Sequence, residues 1–353
     1  MPEEKPSFAV ASLAARYYRR NAAGVNGEMM DAAGTRSLSV VLPEGLDIRV
    51  LTAARRLKDD AIAEPVLLGS RPSLEAAAEA AGVCLDGIRT IAPLESPLLE
   101  TYAEAYAGRR GLPLNAVRRI VKRPLLFAGM MVARGDAHTM VAGAATATTL
   151  VIQAGVLTVG LAEGVSTPSS YFLVTLPEFQ GVRRKRFIYA DCGLNITPTP
   201  PQLADIALAA AETARRLLEE EPRVAMLSFS TKGSANHPAV SRVREALAIA
   251  RRRAPELNID GEFQADAAIV PTVAARKVRV ESSVAGRANV LVFPDLNSGN
   301  IAYKLTQYLA GAQAVGPLLQ GFAKPISDLS RSASVEDIVA AAEICLRQVA
   351  PAG

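Results

Sequence analysis

The sequence predicts an α/β protein divided into two domains, and three observations lead there. Short β-branched runs alternate with helical stretches along most of the chain, the pattern of parallel βαβ units. At 353 residues the chain is too long for a typical single core and fits two comfortably. Half of the residues are hydrophobic while only 5% are aromatic and none is Trp, a composition rich in Ala and Val that suits close packing of helices on sheets.

The elements follow in order. Residues 1–36 stand apart as an N-terminal extension. Within them Phe8 to Arg20 has the spacing of a short basic amphipathic helix, and Ala22 to Gly34 is glycine-bearing and loop-like. The segment reads as a flexible or dimer-packing extension, with a targeting or encapsulation peptide as the alternative, because it lacks the long apolar core of a secretory signal. From Leu38 the chain reads strand to Leu42, helix Ile48 to Lys58, strand Pro65 to Leu68, helix Pro72 to Ala81 and strand Ile88 to Ile91. A helix from Leu98 to Tyr106 leads into a basic loop at Arg109-Arg110-Gly111, followed by helices at Leu114 to Lys122 and Pro124 to Arg134. Thr139 to Ala142 is a strand, Gly143 to Thr149 a loop of small residues, and Leu150 to Leu161 a helix.

After Gly164 the strands Tyr171 to Leu176 and Arg186 to Ala190 flank a charged hairpin tip. Thr199 caps a helix that begins at Pro200 and runs through Leu218. Two strand–loop–helix units follow. Strand Val224 to Ser228 enters the loop Ser230-Thr231-Lys232-Gly233-Ser234 and the Arg-rich helix Val240 to Arg253. Strand Asn289 to Pro294 enters the loop Asp295 to Asn300 and the helix Ile301 to Leu309. Ligands in open α/β sheets gather where strands end and helices begin. Both loops are rich in hydroxyl, amide and glycine, so Thr231, Lys232, Gly233, Asn297, Gly299 and Asn300 are candidate anion-binding residues. The first loop lacks the glycine and Lys-Ser/Thr order of a P-loop. Asp260, Glu262 and Asp266 read as a loop and strand entry rather than a metal-ligand set.

The stretch Gly316 to Ala340 carries the densest chemistry. Gly316, Pro317, Gly321 and Pro325 punctuate it as a shaped loop. Ser334 and Asp337 have the spacing of a capping box that opens an apolar helical run from Ile338. A hydroxyl (Ser330), a guanidinium (Arg331) and a carboxylate (Asp337) therefore arrive together at a helix N-terminus, which favours anions. The bland alternative is that Ser334 and Asp337 only cap the helix and Arg331 is a solvated charge.

Composition narrows the classes. The net charge of +4 is modest and no basic patch is interleaved with aromatics, which favours small anionic ligands over nucleic acid. Cys84, Cys192 and Cys345 form neither a disulfide framework nor a zinc pattern, and nothing marks His138 or His237 as a catalytic base. No apolar run reaches membrane-spanning length, so the expectation is a soluble, cytoplasmic protein without membrane, nucleic-acid or metal partners.

The segments ADCGLNITPTPPQLADIA, VAMLSFSTKGSANHP, DGEFQADAAI, VAGRANVLVFPDLNSGNIAYKL and GPLLQGFAKPISDLSR, in this order and spacing, resemble the phosphate acetyl/butyryltransferase family. The similarity extends from about Ser37 to the C-terminus, and the middle of the chain looks closest to the ethanolamine-utilisation type. The resemblance implies a two-domain, three-layer α/β/α protein similar in fold to isocitrate and isopropylmalate dehydrogenases. Residues 37–162 and 319–353 would form one domain and 163–318 the other, with the active site in the cleft and a homodimer as the usual assembly. It also implies interconversion of acetyl-CoA plus phosphate with acetyl phosphate plus CoA in a ternary complex, with no permanent cofactor and CoA as substrate. By motif, Ser330 and Arg331 match the family's active-site pair and Asp337 the base for the CoA thiol. A helix N-terminus favours the ionised carboxylate, so a base there calls for burial in a closed cleft.

The chain departs from the family at two places. Ala107 falls where members carry an arginine, with Arg109 and Arg110 two and three residues on, and Gln153 falls on a second family arginine. Compensation by Arg109 and Arg110, with Gln153 as a neutral hydrogen-bond donor, is one expectation. The rival is a catalytically weak acyl-CoA-sensing or assembly module. A dehydrogenase is disfavoured, since no G-x-G-x-x-G fingerprint follows the early strands.

Overall fold

The computed structural model describes residues 38–349, and the N-terminal segment read above lies outside them. Two sheets organise these residues. The first has five parallel strands in the order β13-β4-β1-β2-β3, with β1 at Ser39–Leu42, β2 at Glu64–Leu68, β3 at Arg89–Ile91, β4 at Thr139–Ala142 and β13 at Ile326–Asp328. Their residues are mostly buried and apolar, as strands covered on both faces must be. Helices α1 (Ile48–Asp59), α2 (Arg71–Ala81), α3 (Leu98–Arg110), α4 (Leu114–Val121), α5 (Pro124–Arg134) and α6 (Thr148–Thr158) connect them. The closing helix α12 (Val335–Arg347) packs against α1. Tyr102 meets Phe127 edge-on at 5.0 Å inside this layer.

The second sheet has six strands in the order β10-β9-β11-β8-β5-β12. These are β5 (Ser169–Thr175), β8 (Arg186–Ala190), β9 (Val224–Leu227), β10 (Ile259–Phe263), β11 (Val290–Val292) and β12 (Gln313–Gln320). Pairing is parallel from β10 to β8 and antiparallel at β8–β5 and β5–β12. The short hairpin β6 (Glu178–Phe179) and β7 (Val182–Arg183) forms the charged tip. Helices α7 (Pro200–Leu217), α8 (Pro238–Arg253), α9 (Ala265–Ile269), α10 (Pro271–Lys277) and α11 (Leu296–Leu309) complete this half. A capping box between Thr199 and Gln202 opens α7.

Four expectations are corrected here. Gly316 and Pro317 lie in β12 rather than a loop, at a register shift between Val315 and Leu318, where a residue without an N–H costs no ladder bond. Helix α3 runs on through Arg109 and Arg110, because basic residues suit a helix C-terminus and Gly111 supplies the left-handed cap at φ 63°. The Asp295 to Asn300 segment is a helix start, since Asp295 caps α11 by accepting the Ser298 N–H at 2.9 Å. Asp260 and Glu262 are buried inside β10, each in an ion pair.

Candidate functional site

A cavity of about 740 Å³ opens between residues that follow β4 and β13 of the first sheet and residues of α11 and β12 from the second. Its size is that of a small-molecule site. Ser330, Arg331, Asp337 and Asn300 line it together, as do Thr148 and Thr149 from the first turn of α6, Tyr303 and Lys304 from α11, and Asp328 from the end of β13. Most of these positions sit at the carboxyl ends of parallel strands or the helix starts beyond them, where open α/β sheets gather ligands.

The loop after β13 is held by main-chain contacts. Arg49 in α1 spends every N–H of its guanidinium on oxygen. It donates to the carbonyls of Arg331 at 2.8 Å, Ala333 at 2.9 Å and Ala144 at 2.8 Å, and to both carboxylate oxygens of Asp47. The same residue thus fixes the Ser330–Ala333 loop and the loop ahead of α6. Glu44 secures the latter loop by accepting the N–H groups of Gly143, Ala144 and Ala145 at 2.8–2.9 Å. Neither Arg49 nor Glu44 was legible as a site residue. The only local trace is their place at the carboxyl end of the first strand.

Within this frame the Ser330 hydroxyl lies 2.8 Å from that of Ser332. Arg331 is exposed, and its guanidinium has no ion pair or hydrogen bond among the described residues. Lys304, a second cation lining the cavity, stands 5.0 Å from the Tyr303 ring centre, whose phenol holds its ammonium above the ordinary lysine range. Asp337 completes the capping box of α12, its Oδ2 accepting the N–H and hydroxyl of Ser334 at 3.0 Å. It is exposed, so the burial expected around a base is not found. Asn300 donates to the Cys192 carbonyl at 3.2 Å. Gly299 packs so closely on Asp191 that a Cβ there would fall 2.3 Å from its carbonyl oxygen. Asn297 is exposed and does not line the cavity.

The other candidates are placed elsewhere. Thr231, Lys232 and Gly233 lie outside the cavity, in a loop whose polar groups are already used. The Lys232 N–H goes to the Glu262 carbonyl at 3.0 Å, the Gly233 N–H to the Glu262 carboxylate at 2.8 Å and the Thr231 N–H to Ser234 at 3.0 Å. The Lys232 ammonium bonds Asp260 at 2.5 Å. Burial alone would raise Glu262, but the Arg244 guanidinium, the Gly233 N–H and the Ser230 hydroxyl outweigh it and hold the carboxyl at about 2. With the main-chain N–H groups from Ser230 to Ala235 consumed in this way, the loop has none left to cradle phosphate.

Arg109 and Arg110 donate to the Leu157 and Val156 carbonyls, at the C-terminus of α6. The cavity meets that helix at its other end, about 14 Å away along the axis. Gln153 is exposed in mid-helix and outside the cavity, and Ala107 packs against the core. The structure does not bring Gln153, Arg109 or Arg110 to the cavity, which removes the geometric basis for compensation by the two arginines. Among the described residues no group of His, Cys, Asp and Glu could hold a metal ion, and no helix is long and apolar enough to cross a membrane.

The family model described as phosphate acetyl/butaryl transferase matches residues 25–346. A phosphate acetyltransferase from Acetivibrio thermocellus is 42% identical over 320 residues, covering 90% of this chain and 96% of the relative. Among solved structures, the EutD phosphotransacetylase from Staphylococcus aureus aligns with a TM-score of 0.84 at 36% identity, covering 93% of this chain and 99% of that one. A 4-hydroxythreonine-4-phosphate dehydrogenase from Burkholderia phymatum aligns at 0.51 and 14% identity over 87% of this chain and 98% of that one, a likeness of fold alone.

Proposed function

The chain belongs to the phosphate acetyl/butyryltransferase family, and we infer that it is a phosphate acyltransferase, interconverting a short acyl-CoA plus phosphate with acyl phosphate plus CoA. The observation that carries this reading is the cavity itself, where Ser330, Arg331 and Asp337 meet and the Arg331 guanidinium has no partner among the described residues. A charged donor left unpaired at a cavity is available to a ligand's charge.

In the proposed reaction the CoA sulfur and a phosphate oxygen exchange places on the acyl carbon. Arg331 neutralises phosphate and the charge that develops on the carbonyl oxygen, an effect worth roughly 3–4 kcal/mol for a well-placed donor. Ser330 hydrogen-bonds the reacting oxygen or sulfur. Asp337 takes the thiol proton, a useful step because a free thiol titrates near ~8.5. CoA enters and leaves as substrate, and no permanent cofactor is invoked.

The sheet membership supports a division into a split domain, 37–162 with 319–353, and an inserted domain, 163–318. A cytoplasmic location and a homodimer complete the proposal. The dimer is supported by α11, where Ile301, Leu305, Tyr308 and Leu309 are exposed on one helical face. A monomer by sedimentation at micromolar concentration would remove that part.

The test of activity is CoA release from acetyl-, propionyl- and butyryl-CoA with and without phosphate. Phosphate-dependent release from the acetyl or propionyl ester is expected. No release from any of them by folded protein would leave an acyl-CoA-binding module instead.

A further inference from the structure

The carboxyl at the foot of the cavity takes no part in the proposed acyl transfer. Asp328 ends β13, is only 2% exposed, and accepts the Thr148 hydroxyl on Oδ2 at 2.5 Å. Its Oδ1 is closed off from solvent and has no hydrogen-bond partner among the described residues. Gly143 leaves room for it, since a Cβ there would fall 2.3 Å from that oxygen. A buried carboxylate with an unmatched oxygen is an unfavourable arrangement, and the neutral acid is the form such surroundings favour.

Burial accordingly pushes the Asp328 carboxyl up to about 6, although the Thr148 hydroxyl offsets part of the rise, and the charge of Glu44 adds to it. The elements packed against β13 are β4, β12, α6 and α12. The first three carry no charged side chain. Helix α12 brings Glu336 and Asp337 in its first turn and the Glu343–Arg347 pair further along. Arg331 follows in the next loop, and Arg49 and Glu44 reach in from the other side.

Thr148 is also the first residue of α6, which has no acidic residue in its first turn and no side-chain cap. Its leading N–H groups therefore face the cavity beside Asp328, an anion-favouring helix end next to a buried acid. An ionised Asp328 works against an anion there and claims the Thr148 hydroxyl for itself. We propose that binding of a phosphate-type oxyanion at the Thr148 end of the cavity is coupled to protonation of Asp328. One proton comes from solvent onto Oδ2. The hydrogen bond then reverses, Asp328 donating to Thr148 Oγ1, and the Thr148 hydroxyl turns to donate to the anion. Asp328 is in this sense a positioning residue that acts through Thr148, and the choice of ligand rests on the phosphate acyltransferase reading.

Sulfate is the probe, because it keeps one charge state across neutral pH. Titration calorimetry at pH 7.0 in two buffers of different ionisation heat is expected to show uptake of a large part of one proton on sulfate binding. The sulfate Kd is expected to rise by up to about tenfold per pH unit above the titration of Asp328. Asp328→Asn should show no uptake and a flat pH profile, and Thr148→Val should bind sulfate more weakly at every pH.

The fold control follows from the direction of the shift. A carboxyl with a raised folded value favours the fold below its ordinary value and works against it as pH climbs through about 6. Asp328→Asn should therefore melt no lower than the parent at pH 7.5. The coupling is overturned by a wild-type proton uptake near zero, by an Asp328→Asn variant that keeps the uptake, or by no sulfate binding between pH 5 and 8. If the variant fails to fold, the wild-type proton count and Thr148→Val decide. CoA release by the same preparation separates the two readings. An active enzyme without proton uptake loses only the coupling, and an inactive one with uptake loses only the acyltransferase.

Discussion

The Ser230–Ser234 and Ser330–Ser334 loops are built from the same materials, hydroxyls around a single cation, yet Lys232 ends on a buried carboxylate while Arg331 ends on the open cavity. The first loop faces β10, whose buried Asp260 and Glu262 take up its ammonium and its N–H groups. The second is gripped from behind by Arg49 through its carbonyls, and its Arg331 guanidinium is left without a partner among the described residues. A cation whose charge is already matched builds the fold. A cation held in place but left unmatched is available to a ligand.

The sharpest way to break this contrast is to remove the charge from each loop. Arg331→Ala is expected to lower turnover by 10²-fold or more with little change in melting temperature, since a donor used in the transition state is lost. Arg244→Ala should do the reverse. It strips Glu262 of its one cationic partner among the described residues and should cost stability at or below the roughly 3–5 kcal/mol of a broken buried pair, because Arg244 is itself half exposed. Turnover per folded molecule should hold. Equal turnover losses in the two variants would erase the distinction.

A smaller effect separates the two roles of Asp337. If it takes the thiol proton, Asp337→Asn lowers turnover well beyond any loss of fold. If it only caps α12, turnover holds and about 1 kcal/mol of stability is lost. Chemical denaturation beside steady-state kinetics distinguishes these.

The smallest effects are expected at α6. Arg109→Ala should leave the KM for CoA and for phosphate unchanged and cost up to about 1 kcal/mol, as loss of a cation from a helix C-terminus does. Gln153→Arg should leave both constants unchanged as well. A lowered KM for either substrate in Gln153→Arg would show that a bound ligand reaches beyond the cavity to mid-helix.

Much of the fold was legible because its signals are local. The alternation of short strands and helices, the Thr199–Gln202 and Ser334–Asp337 boxes and the glycine stops are all set by neighbours in sequence. The meeting of Ser330, Arg331 and Asp337 in one candidate site was legible for the same reason, since they lie within one loop and one helical turn. What stayed hidden depends on distant partners. Nothing near Lys232 announces that Asp260 waits for it, and nothing near Arg49 announces carbonyls 282 and 284 residues away. Asp328 reads as one more loop acid until its burial is seen. Arg109 and Arg110 read as a loop because the apolar helical pattern fades at Tyr106, one turn before the helix ends.

The grip of Arg49 bears on how this protein can change over generations. Its hydrogen bonds beyond α1 and the cap Asp47 are all to main-chain oxygens, at Ala144, Arg331 and Ala333, and backbone carbonyls are present whatever the side chain. Replacements along these two loops can therefore alter the chemistry offered to a substrate while the clamp that shapes them persists. The position that holds the loops is closed to change, since lysine has too few donors to stand in for a fully engaged guanidinium. Exposed neighbours in the two loops, Ala145 and Ser332 among them, can be replaced without loosening that clamp, and new acyl specificities can be sampled there.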